Sequence, residues 1–65
     1  MPKRKAPKGK FRVIGFDSFS REFWHDGDFS KKNRAIECAK KKAGQMTLMY
    51  VHDDSGEIVF QAGNY

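Results

Sequence analysis

The 65 residues carry a formal charge of +5 and suit one small domain at most, and the single cysteine, Cys38, excludes an internal disulfide. Cys38, His25 and His52 fall short of a structural zinc site, and no apolar run approaches the ~20 residues of a membrane span. A lone thiol and an N-terminus without an apolar leader point to a soluble, cytoplasmic protein held together by packing, with neither metal nor membrane.

The chain starts MPKRKAPKGK, in which Lys3, Arg4, Lys5, Lys8 and Lys10 meet no acid. Two prolines, a glycine and only one small apolar residue beyond Met1 cannot offset the entropy of ordering. Residues 1–10 are therefore expected to form a flexible basic arm, disordered to about residue 9, with residues 11–65 as the single domain. Such an arm can lie along a phosphate backbone, or it can be a solvated tail.

KFRVIGFDSF follows, with the strand-forming residues Phe11, Val13, Ile14 and Phe16 and a mid-run Gly15 that suits a bulge or a close backbone approach. SREFWHDGDF predicts a second short strand around Phe23 and Trp24, closed by Asp26-Gly27-Asp28. Trp24, between Phe23 and His25 on a strand short enough to form an edge, is the aromatic expected to be exposed for stacking or an interface.

SKKNRAIECAKKKAG predicts a helix with Ser30 as N-cap and Gly44 at the left-handed C′ position. On a helical wheel Cys38, Ala35, Ala39, Ala43 and Ile36 share one arc, so a small-residue face can approach a sheet closely, with Ile36 buried. Arg34, Glu37, Lys41, Asn33 and Lys40 occupy the opposite side. QMTLMYVHDDSGEIVFQAGNY reads as a hairpin: Met46 to His52, a turn at 53–56, and Glu57 to Ala62, with Phe60 in or beside the core.

The order is β-β-α-β-β, an α+β domain with an antiparallel sheet and one helix packed on one face. Apolar residues occur on both parities of nearly every strand, so part of the second face should stay open unless the sheet coils tightly.

Charge is unevenly placed. Residues 11–65 hold eight basic and eight acidic residues, so the arm supplies the whole net charge. Within that neutral body, residues 31–42 carry six bases against Glu37 alone, and the remainder is correspondingly acidic. Ser30, Lys31, Lys32, Arg34 and Lys41 therefore join the five basic residues of the arm as candidate contacts for DNA or RNA phosphates. Over six residues, Ser30-Lys31-Lys32-Asn33-Arg34-Ala35 resembles the basic helix start of double-stranded-RNA-binding domains. That family continues from this helix to its C-terminus without a following hairpin, whereas two strands follow here, so the resemblance is not carried into fold or function.

No phosphate-binding loop and no catalytic carboxylate pair is visible, and Cys38 on the small-residue face suits a buried thiol rather than a nucleophile. Neither catalysis nor a cofactor is expected. The sequence leaves two readings: a non-catalytic module that contacts nucleic acid through arm and helix, and a protein-interaction module, homodimer or small regulator, that uses an open sheet face or strand edge.

Overall fold

The computed structural model describes residues 3–64. Four strands and one helix follow in the expected order: β1 (Phe11–Asp17), β2 (Glu22–Phe29), α1 (Lys32–Lys42), β3 (Thr47–His52) and β4 (Ile58–Ala62). The strands form one antiparallel sheet in the order β2-β1-β3-β4, so the helix connection carries the chain from edge strand β2 to central strand β3.

Strand periodicity sends Phe11, Val13, Met49 and Val51 to the helix side, where they meet Ala35 and Ala39. Val13, Met49, Val51 and both alanines are fully buried, and Phe29, Cys38, Ala43, Val59 and Phe60 pack around them. Ile36, expected to be buried, is half-buried at the margin of this core.

Strand β2 is longer than the sequence suggests. Asp26-Gly27-Asp28 was expected to close the strand, but it lies within it and the pairing runs on to Phe11 opposite Phe29. Val13 faces Gly27 and Ile14 faces His25, which leaves Asp26 as the extra residue of a β-bulge. The bulge keeps the Asp26 carboxylate on the helix side and puts Asp28 on the other.

Trp24 also differs from expectation. It is half-buried against the core, and its indole lies over Gly15, directly opposite on β1, where any Cβ would fall inside the ring. Gly15 thus marks a close approach, and that approach is what draws Trp24 inward.

The helix caps also differ from the expected Ser30 and Gly44. The N-cap is Lys31, in extended conformation and without a side-chain capping bond, so Ser30 lies one residue outside. At the other end Ala43 is extended, and the left-handed residue is Met46 (φ 65°) rather than Gly44. The chain reverses through Gly44, whose N–H and carbonyl both bond to Thr47, so the turn into β3 does the work assigned to a glycine cap.

The second sheet face carries Arg12, Ile14, Phe16, Phe23, Tyr50, His52 and Ile58 on strand alternation. Phe16 and Phe23 sit opposite each other with ring centroids 4.5 Å apart. Ile14 and Leu48 are buried there with no helix above them, whereas Ile58 is 51% exposed. The face is therefore partly closed and partly open.

Candidate nucleic-acid interface

Residues 3–10 form neither helix nor strand, yet they are not detached from the domain. The Arg12 guanidinium donates from Nη1 to the Lys3 carbonyl at 3.0 Å, and Arg4 sits 5.9 Å from the centroid of the Phe23 ring. Ala6 donates its N–H to the Asp53 carbonyl at 3.0 Å and is 5% exposed. Gly9 donates its N–H to Asp54 Oδ2, also at 3.0 Å, and Lys10 closes a turn onto the Pro7 carbonyl. Met1 and Pro2, the first residues of the expected disordered stretch, lie outside the described residues. What the arm meets is the second sheet face and the acidic turn between β3 and β4.

This path divides the candidate cations. The pairing of Phe11 with Phe29 brings Lys10 and Ser30 to the same end of the sheet, beside the start of α1. Lys10, Ser30, Lys31 and Lys32 are all exposed at that end. Arg34 and Lys41 continue the charge along the helix, on the flank turned toward β2. Lys3, Arg4 and Lys5 are turned away, Arg4 over Phe23 and Lys5 beside Gly56, while Lys8 is exposed in the connecting turn. The ten candidates thus form a helix-side group and a sheet-side group.

The helix start adds polarity of its own. Lys31 has no side-chain cap, and the first turn of α1 contains no acid, so nothing on the helix neutralises the positive end of its dipole. Among the described residues, Lys31, Lys32, Arg34, Lys40 and Lys41 make no ion pair, although the Lys40 ammonium lies 5.9 Å from the Phe60 ring centroid.

Two carboxylates of β2, Asp26 and Asp28, organise the surroundings. Asp28 accepts two hydrogen bonds from Arg12, Nε to Oδ1 at 2.7 Å and Nη2 to Oδ2 at 3.0 Å, while His25 Nε2 lies 3.0 Å from Oδ1. The Arg12 hydrogen bond outweighs burial and, with His25 helping, holds the Asp28 carboxyl below its ordinary pKa. The same bond raises the Arg12 guanidinium.

Asp26 takes Lys42 Nζ at 2.7 Å and the Cys38 thiol at 3.2 Å on Oδ2, and the Trp24 indole N–H at 3.2 Å on Oδ1. Burial pushes the Asp26 carboxyl up, but these donors together bring it below its ordinary value. The Cys38 thiol moves the other way, raised first by burial and then by donating to Asp26. It is a held thiol, far from an activated thiolate. Arg12, two residues before Ile14 and so on the same strand face, is a sequence signal compatible with an acid across the strand, where Asp28 stands.

Among the described residues no group of three or more His, Cys, Asp or Glu is placed to hold a metal, and no helix is long and apolar enough to cross a membrane. Comparison with protein-family models, with curated proteins and with solved structures finds no match to this chain.

Proposed function

We propose that this protein is a non-catalytic nucleic-acid-binding module that engages phosphates through the start and exposed flank of α1, with the arm as a second, separable contact. The observation that carries the reading is the set of exposed helix cations, Lys31, Lys32, Arg34 and Lys41, which no carboxylate neutralises among the described residues. A solvated helix face normally intersperses acids with its bases, and α1 has only Glu37. The acids Asp26 and Asp28 are occupied by Lys42 and by Arg12 with His25, so they present little bare charge to an approaching polyanion. A cytoplasmic setting accords with the single reduced thiol.

The test is a salt series of binding to duplex DNA, single-stranded DNA and RNA. Each contacted phosphate should contribute about −0.9 to the log–log slope on a duplex and about −0.7 on a single strand. Lys31→Glu with Lys32→Glu should weaken binding and flatten the slope while favouring the helix dipole, so the loss is not one of folding. No salt-dependent binding at about 50 mM salt would overturn the reading.

A second reading, a homodimer or regulator that pairs through the second sheet face, draws on the exposed Ile58. It borders a depression of about 180 Å³ with Phe23, Tyr50 and Arg4. Sedimentation of the wild type against Ile58→Asp separates it from the first.

A further inference from the structure

An open groove of about 630 Å³ lies on the helix flank that faces β2, lined by Phe29, Arg34, Glu37, Cys38, Lys40, Lys41 and Lys42. Because β2 is an edge strand, no neighbouring strand closes the groove. Arg34, Glu37, Cys38 and Lys41 fall at helical spacings of three and four residues and so form one stripe along it.

We propose that this groove takes an unpaired base of a single-stranded nucleic acid, with Phe29 as the stacking platform, Arg34 and Lys41 on the flanking phosphates, and Glu37 as acceptor for an exocyclic amino group. The inference rests on the nucleic-acid reading above and narrows it to one class of ligand.

Three features carry it. Phe29 is half-buried, and its ring is seated over Gly27, where an added Cβ would stand 3.5 Å away in ordinary contact. An aromatic ring with a fixed seat, lining a groove open to solvent, is suited to stacking on a base, which every base permits through its π-face. Arg34 and Lys41 have no ion-pair partner among the described residues, while Lys42 is held by Asp26 and marks the inner boundary of the free charge. Finally, Glu37 stands between these two cations on the stripe, where it would repel a phosphate. A carboxylate there can serve a base edge, as an acceptor for the amino group of cytosine or adenine. A duplex keeps the faces of its bases inside the stack, so it can use the cations but not the Phe29 platform.

Fluorescence anisotropy tests this with labelled oligo-dC, oligo-dT and a duplex, each about 12 nucleotides long. Single strands should bind more tightly than the duplex, and oligo-dC more tightly than oligo-dT. Phe29→Leu, which keeps an apolar residue over Gly27, should weaken single-strand binding about 5- to 150-fold, the worth of one stacked base, and leave duplex binding and the salt slope unchanged. Arg34→Gln and Lys41→Gln should each flatten the single-strand slope by about 0.7. Glu37→Leu, which removes the acceptor, should erase the preference for dC. Equal binding of duplex and single strand, or single-strand binding unmoved by Phe29→Leu in a protein with wild-type circular dichroism, overturns the base pocket and leaves the phosphate reading standing. No binding to any of the three overturns both.

Discussion

Gly15 and Gly27 are both strand glycines beneath aromatic rings, and they differ in how much room the ring leaves. A Cβ on Gly15 would fall within the Trp24 indole, so Gly15→Ala must unseat the ring that closes one side of the core. Overpacking of this kind costs about 1–3 kcal/mol. Gly27→Ala meets Phe29 only at ordinary contact distance and should change stability by about 0.5 kcal/mol or less. Urea unfolding of the two variants checks the contrast. The carboxylates make a second prediction at this scale. Asp26 and Asp28 are both held below their ordinary pKa in the folded protein. A depressed carboxylate contributes stability that is present above its unfolded pKa and lost as pH falls through the folded value. The urea midpoint should therefore hold steady around neutrality and drop on the acid side of about pH 4. Asp28→Asn should be less stable at neutral pH and lose less on acidification. A midpoint independent of pH down to about 2.5 would contradict these carboxylate pairings.

At the scale of elements, the helix is held by what its inner face lacks. Ala35 and Ala39 are fully buried against β1 and β3, so the helix backbone sits close to the sheet. Ala39→Leu has no space to fill and should cost about 1–3 kcal/mol, read from the unfolding midpoint. Ile36→Ala, at the half-buried margin, should cost less than the roughly 2–5 kcal/mol of a fully buried aliphatic truncation. The small-residue arc that predicts this face is a local property of the sequence, and the structure follows it. The caps were less legible. Ser30 has the right chemistry for an N-cap, but β2 runs on to Phe29 and the helix begins at Lys32, leaving Ser30 in the bend between them. Gly44 was displaced in the same way, because its hydrogen bonds to Thr47 serve the turn into β3.

For the whole molecule the arm matters most. Its contacts with Arg12, Phe23, Asp53 and Asp54 tie a strongly basic segment to the face that lacks a helix. Amide exchange at Ala6 and Gly9, whose N–H groups are bonded, should be slower than at Lys5 and Lys8. Deleting residues 1–10 removes no strand and no helix, so the fold should persist by circular dichroism. The same deletion uncovers the surroundings of Phe23 and Tyr50, so the unfolding midpoint should fall and binding of a hydrophobic dye should rise. A truncated protein with unchanged midpoint and dye binding would mean that the arm does not cover the sheet in solution.

Periodicity and composition alone determined the order of elements, the antiparallel hairpin of β3 and β4, the inward face of α1 and the concentration of charge in residues 1–10 and 31–42. These are local properties, set by side chains within a few residues of one another. Only the tertiary structure decided the rest. The bulge at Asp26 sent neighbouring carboxylates to opposite faces, and Trp24 turned inward because Gly15 lies across from it. The arm was divided from the helix cations by the acidic turn that it reaches far along the chain. Each of these depends on a partner brought close by strand pairing, and a one-residue shift in register would reverse it.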